Sequence, residues 1–266
     1  MPTQVEKVIQ FRALHQSPFV LANAWDAGSA RILTALGFAA LATSSGAAAG
    51  TLGRRDGQIN RAEAIAHCRE IVAATDLPVS ADLENGFGDT PEDAAETIRQ
   101  AAATGLVGGS IEDCGKSLYD LAHATARITA AVQAARALPF PFVLTARSEN
   151  FLRGNPNLDD TIARLKAFEA AGADVLMAPG LPDLAAVRAV CAAVSRPVNF
   201  MAGIKGRSFT VAELAATGVK RISLATSLYR AAMTGLVNAA REAREQGTFT
   251  YLDNTLPTVE INGYFG

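Results

Sequence analysis

Histidine and cysteine are scarce here, with three of each in 266 residues. Cys68, Cys114 and Cys191 form no CxxC or other metal-ligand spacing, and their odd number points to reduced thiols rather than a disulfide framework. Cys68 and Cys191 fall within apolar helical patterns, where burial is the expected role. His15, His67 and His123 all lie in helical patterns away from strand ends, which argues against a histidine-ligated zinc or a histidine-based triad. Aromatic residues make up 6% of the chain, and Pro-rich or Ser-rich tracts are missing, so disorder is not expected. Apolar runs fall short of the roughly 18 residues that span a bilayer, and Met1–Gln10 lacks the apolar core of a signal peptide. A cytoplasmic location without membrane contact is therefore the expectation. The net charge of −2 comes with no basic stripe, so no nucleic-acid partner is expected either.

Short apolar runs alternate with longer amphipathic segments along the whole chain. The strand candidates are Phe19–Ala22, Ala39–Thr43, Pro78–Asp82, Gly109–Glu112, Phe142–Arg147, Asp174–Ala178, Val198–Met201 and Arg221–Leu224. Thr90-Pro91-Glu92-Asp93 reads as a helix start, with a hydroxyl cap, proline at the first position and acids near the positive dipole end. "LTALGFAAL" at 33–41, "AAGAD" at 170–174 and "AATGVKRI" at 215–222 each join a helix to a strand through glycine. Eight such repeats imply parallel strands and a (β/α)8 barrel. An open doubly wound sheet is less favoured, because no GxGxxG follows the first strand. Residues 1–18 read as an extra helix closing the barrel floor. With no linker or composition break, 1–266 is expected to be one domain. The tail from Gly247 to Gly266 lacks helical periodicity, and the C-terminal segment from about 227 is expected to pack on a neighbouring subunit.

In such a barrel the chemistry sits where strands end. The second strand runs into Thr43-Ser44-Ser45-Gly46, small residues and hydroxyls suited to an anion, or to a simple tight turn. Asp56 follows a glycine turn shortly after. At the third strand end Asp82 and Glu84 should share one face, where they repel unless a cation or proton lies between them. The fourth ends in Glu112-Asp113 and the fifth in Arg147, a fork for a carboxylate or else an ion-pair partner of Glu112 or Glu149. Asn199 ends the seventh. No lysine ends a strand, which weakens Schiff-base chemistry. What remains is oxygen-ligated metal chemistry, and hard divalent ions such as magnesium suit an oxygen-rich site.

These residues resemble the isocitrate lyase/phosphoenolpyruvate mutase superfamily from about Phe19 to Tyr229. "SADLENGFG" at 80–88 is similar to its metal signature D-x-D-x-G-[FY]-G, with Glu84 where Asp is usual. "LANAWDAGSARI" at 21–32, "TSSGAAAGTLGRRDG" at 43–57, "SIED" at 110–113 and "LTARSENF" at 144–151 resemble further family motifs in the right order. The resemblance implies that Asp82 binds magnesium directly, with Glu84, Glu112 and Asp56 holding its waters. It also implies that Ser44, Ser45 and Gly46 receive a 2-oxo acid carboxylate and that Arg147 meets its other end. Asn199, Arg147 and Glu112 complete the expected substrate and catalytic set. The K-[KR]-C-G-H gating sequence of the family's lyases is missing; Asp113-Cys114-Gly115-Lys116 stands in that region.

Three functions fit this reading. The first is a magnesium-dependent carbon–carbon lyase or decarboxylase working on a small 2-oxo or 2-hydroxy di- or tricarboxylate through an enolate. The second is a phosphonopyruvate-type phosphorus–carbon mutase or hydrolase, which needs extra cations where the loop offers only Lys116. The third is a non-catalytic 2-oxo acid binder. The resemblance further implies a homodimer or homotetramer.

Overall fold

The computed structural model describes residues 2–265. Eight parallel strands close into one barrel in chain order: β1 (Phe19–Asn23), β2 (Leu41–Ala42), β3 (Val79–Asp82), β4 (Gly108–Glu112), β5 (Val143–Arg147), β6 (Val175–Met177), β7 (Val198–Met201) and β8 (Arg221–Ser223). Helix α1 (Gln4–Leu14) precedes them. Helices α2 (Ala27–Ala35), α3 (Ser45–Thr51), α4 (Arg61–Ala73), α5 (Pro91–Ala102), α6 (Leu121–Arg136), α7 (Leu158–Ala170), α8 (Leu184–Ala193) and α9 (Val211–Thr217) lie between strands. A long helix α10 (Ser227–Glu245) and a short one, α11 (Thr258–Gly263), follow the last strand. The chain is thus a (β/α)8 barrel, and each strand forms within two residues of its expected position.

The glycine joins work as the sequence implies. Gly172 and Gly218 adopt φ of 102° and 103°, left-handed values that an L side chain resists, and each turns the chain from a helix into the next strand. At the start of α5 Thr90 and Asp93 form a reciprocal capping box with Pro91 inside it. β2 is shorter than expected because Ser44 already serves as the N-cap of α3, so the hydroxyl segment becomes a helix start two residues after the strand.

Helix α1 plugs the N-terminal end of the barrel. Val8 and Phe11, both fully buried, pack on Leu21, Ala40, Val107 and Val143 beneath the strands. Burial of a side chain such as Phe11 contributes about 2–3 kcal/mol. The opposite, C-terminal end is left open for chemistry.

The tail differs from expectation. Thr250–Asn254 forms a 3-10 turn and Thr258–Gly263 a short helix, so the segment is helical, although the polar spacing in the sequence hides it. None of the described residues of α10 is buried, while Leu236, Val237, Phe249, Leu252 and Val259 are exposed. No helix among the described residues is long and apolar enough to cross a membrane.

Candidate active site at the barrel mouth

A cavity of about 340 Å³ opens at the C-terminal ends of the strands and is lined by Ser44, Ser45, Gly46, Asp56, Asp82, Glu112, Arg147 and Asn199 among others. Strand register sets the layout. Glu112 is paired with Arg147 across β4 and β5, and Asp82 with Ser110 across β3 and β4. Asn23, on β1, ties the mouth together: its amide donates to the Thr43 carbonyl at 2.6 Å and accepts from Leu224 N–H at 2.9 Å. Thr43 Oγ1 in turn accepts from Asp82 N–H at 3.0 Å. Asp82 is therefore held from three strands.

Arg147 is the hub. It meets Asp82 at 2.9 Å, Glu112 at 3.0 Å and Glu149 at 2.9 Å, and these three carboxylates keep its guanidinium charged by raising its pKa despite full burial. The second arginine of the mouth, Arg153, lies 3.6 Å from Glu112. Against these two cations stand Asp56, Asp82, Glu112 and Glu149 in the lining, with Glu84 outside the lining but close to Asp82 and Asp56; a third arginine, Arg221, lines the cavity deeper down.

The surplus of negative charge leaves marks on individual groups. Burial first, then the fields of Asp82 and Asp56, push Glu84 up to about 7. Burial pushes Glu112 up to about 8; Arg147 opposes this, while Glu149 and Asp82 reinforce it. Ser45 Oγ lies 2.9 Å from Asp82 Oδ2 and 3.1 Å from Asp56 Oδ1, yet it carries a single proton to share between them. Glu84 Oε1 is buried without a hydrogen-bond partner. An additional cation or added protons would relieve all four strains at once.

Glu84 departs from simple strand alternation. β3 ends at Asp82, and Glu84 sits in a turn with φ of 48°, held by Glu112 N–H donating to its carbonyl at 2.9 Å. Among the described residues, the other non-glycine ones with left-handed backbone are Phe87 (φ 57°) in the same turn and Ala225 (φ 48°) after β8. Each conformation costs of order 1 kcal/mol, and all three cluster at the mouth, where such strain commonly serves a site. Gly46 has a steric reason: a Cβ there would meet the Asp56 carboxylate at 3.1 Å and Thr226 Cγ2 at 3.0 Å.

Ser44 and Ser45 occupy the start of α3, and Ser45 N–H and Oγ both face Asp82. Asp113, second of the acidic pair, points away from the cavity into a buried ion pair with Arg164 at 3.0 Å, and it accepts from Glu149 N–H at 2.8 Å. Asn199 lines the cavity with both ends of its amide engaged, by Arg221 and Ser223. Cys114 is sealed beneath a short antiparallel turn with Leu118, its Sγ 3.5 Å from Glu112, and burial holds its thiol protonated by raising the pKa. Lys116 is exposed at that turn.

Sequence reasoning passed over Asn23, Arg153 and Arg221, which also line the cavity, and named Glu149 only as a possible ion-pair partner of Arg147, the contact it makes here. Arg221 opens a strand just after Lys220 and reads as a helix–strand boundary charge.

The donor set suits a hard cation. Glu112, Cys114 and Glu149 place one donor atom each within 4.8 Å of one another. A buried protonated thiol is a poor partner for a hard ion, however, and Arg147 and Arg153 already face that trio. The all-oxygen set around Asp82 fits better, since an ion that keeps its waters can bridge carboxylates too far apart to touch it together.

Comparison with known proteins agrees with the motifs. The family model for phosphoenolpyruvate phosphomutase matches residues 11–244. A solved Burkholderia cenocepacia J2315 protein named for a lyase/mutase assignment is 50% identical, with a TM-score of 0.96 over 99% of this chain and 96% of its own. An uncharacterized protein of Mycobacterium tuberculosis is 32% identical over 95% of both chains. An oxaloacetate decarboxylase of Paraburkholderia xenovorans (strain LB400) is 30% identical over 84% of this chain and 77% of its own. The chain therefore belongs to the phosphoenolpyruvate phosphomutase family, within the isocitrate lyase/phosphoenolpyruvate mutase superfamily whose motifs it carries.

Proposed function

We propose that this chain is a magnesium-dependent carbon–carbon bond lyase or decarboxylase acting on a small 2-oxo or 2-hydroxy di- or tricarboxylate. One observation carries the reading: Asp56, Asp82, Glu112 and Glu149 line one cavity of about 340 Å³ with Glu84 close to Asp82 and Asp56, and burial among these acids raises the pKa of Glu84 and Glu112, where a cation would lower it. The lyase class also follows the oxaloacetate decarboxylase and the 2-methylisocitrate lyases among its relatives.

In this reading Asp82 would hold the ion, with Asp56, Glu84 and Glu112 holding its waters; manganese could replace magnesium. An ion held there would supply Lewis acidity, the chemistry that carbon–carbon cleavage beside a 2-oxo group requires. Ser44, Ser45 and Gly46 face the near carboxylate from the start of α3. Arg147, charged at all working pH values, sits across the cavity and stabilises the enolate charge as it develops. Glu112 lines the cavity beside Arg147 and can hold or pass, through a water, the proton that the carbanion equivalent must later receive. Cys114 is outside the cavity lining, so water or Glu112 is the proton source. The exposed apolar residues of α10 and the tail support a homodimer or homotetramer.

A substrate panel tests this. With magnesium present, oxaloacetate, 2-methylisocitrate, isocitrate and phosphonopyruvate are incubated with the protein while pyruvate, glyoxylate and phosphate are followed. Pyruvate or glyoxylate from a carbon substrate supports the proposal. Phosphate release alone would move the chemistry to phosphorus–carbon cleavage. Silence across the panel with 2-oxo acid binding by calorimetry would make the protein a binder.

A further inference from the structure

The interior of a (β/α)8 barrel is ordinarily filled with branched apolar side chains. Here the lining beneath the mouth includes Ser80, Ser110, Asn199 and Ser223 beside Leu21, Ala42 and Met177, and Arg221 is hydrogen-bonded to Asn199 and Thr145. The cavity that begins at Ser45 and Asp82 continues down this shaft and reaches Arg221. Arg221 Nε donates to Asn199 Oδ1 at 2.8 Å and Nη2 to Thr145 Oγ1 at 2.8 Å, whereas Nη1 is buried without a partner.

Two arginines reach into the barrel from its strands, Arg147 and Arg221, and of these Arg221 alone lacks a countercharge. Arg147 meets three acids. No salt bridge reaches Arg221 among the described residues, although it is only 4% exposed, and burial alone lowers its pKa to about 9. His15 lies close enough to feel its charge. Burial and the field of Arg221 hold His15 neutral, with a pKa of about 3, so it supplies no negative charge. Leaving a guanidinium in this state is costly unless an anion visits it.

Its height is set by the strands. Thr145 and Arg147 lie two residues apart on β5 and face the same side, a rise of about 6–7 Å. Arg221, bonded to Thr145, thus lies one layer below the group that meets Asp82. That spacing suits the two ends of a short diacid.

We propose that Arg221 forms a second anion subsite on the cavity floor, which takes the distal carboxylate of a two-ended substrate held at its other end beside Asp82 and Ser45. Asn199 acts as a positioning residue, its amide fixing the guanidinium through Nε while Ser223 fixes the amide. The inference rests on the magnesium-centred reading above and narrows its substrate class to diacids.

Calorimetry separates the two claims. Oxalate, which engages only the metal end, and 2-oxoglutarate and L-malate, which carry a second carboxylate further along, are titrated into magnesium-loaded wild type, Arg221→Met and Arg221→Lys. The better of the two longer acids is expected to lose roughly 30- to 100-fold in affinity for Arg221→Met, the scale of a lost charge-assisted contact. Oxalate should stay within about threefold, which also shows that the variant is folded. Arg221→Lys, which keeps the charge, should retain most of the preference for the longer acid. Oxalate binding together with unchanged longer-acid affinity in Arg221→Met overturns this inference alone. Failure of wild type to bind oxalate overturns the magnesium-centred reading and this inference with it.

Discussion

Replacing Glu112 with glutamine sets two electrostatic effects against each other, and the structure says which should win. Glu112 is buried and 3.0 Å from Arg147, so a simple reading treats Glu112→Gln as breaking a buried ion pair at a cost of about 3–5 kcal/mol. Arg147 retains Asp82 at 2.9 Å and Glu149 at 2.9 Å, however, and is not left unpaired. Glu112 itself is the burdened partner, with a pKa of about 8 against about 4.5 when unfolded. Between those values the folded protein binds one more proton than the unfolded chain, so metal-free stability falls as pH rises and the full penalty is present above about pH 8. The whole shift corresponds to about 5 kcal/mol, and water entering the open cavity reduces this to about 2–3 kcal/mol. For a chain of this size that is roughly 5–10 °C in Tm. Scanning calorimetry from pH 5 to 9 in chelator should show wild-type Tm falling with pH and a flatter profile for Glu112→Gln, with the variant more stable at pH 8–9. Millimolar magnesium should raise the wild type at pH 8 more than the variant. A Glu112→Gln protein that melts several degrees below metal-free wild type at pH 8.5 would refute the claim that the mouth carries excess negative charge.

Three further outcomes follow from the packing. Cys114→Ser should change turnover by less than about threefold, because the thiol is sealed outside the cavity; a loss above roughly a hundredfold, the scale of a missing acid–base group, would return it to the mechanism. Asp113→Ala removes one of two carboxylate partners of Arg164, which keeps Asp160 at 3.0 Å, and the acceptor of Glu149 N–H, so Tm should fall by roughly 4–8 °C, the equivalent of about 2 kcal/mol, and an unchanged Tm would contradict the buried pair. Leu236→Glu combined with Val237→Glu places charge on the exposed face of α10, and sedimentation velocity should show a smaller assembly than wild type; an unchanged assembly would exclude that face as the contact.

The fold was legible because its punctuation is local. Gly172 and Gly218 mark helix ends by a backbone conformation that the residue type itself suggests, and Thr90-Pro91 announces a helix start. The carboxylates of the mouth were legible for a related reason, since strand ends are where this architecture puts its chemistry. Other features depend on closure of the barrel. Arg221 gains meaning only when β8 sits beside β7 and across from β5, which brings Asn199 and Thr145 to it. Asp113 looks like a twin of Glu112, yet alternation turns it outward to Arg164, a residue 51 positions later. The tail hid its short helices because their exposed faces carry no amphipathic period that a single chain needs.

Manganese offers the most direct test of the central claim, that the acids around Asp82 hold a divalent ion on which a 2-oxo acid closes. Electron paramagnetic resonance follows the free-ion sextet as Mn²⁺ is added to the protein with and without oxalate. One equivalent should disappear from the free signal with wild type, more tightly when oxalate is present, and none with Asp82→Ala at the same concentrations. An undiminished sextet with wild type, or equal uptake by Asp82→Ala, would contradict the account.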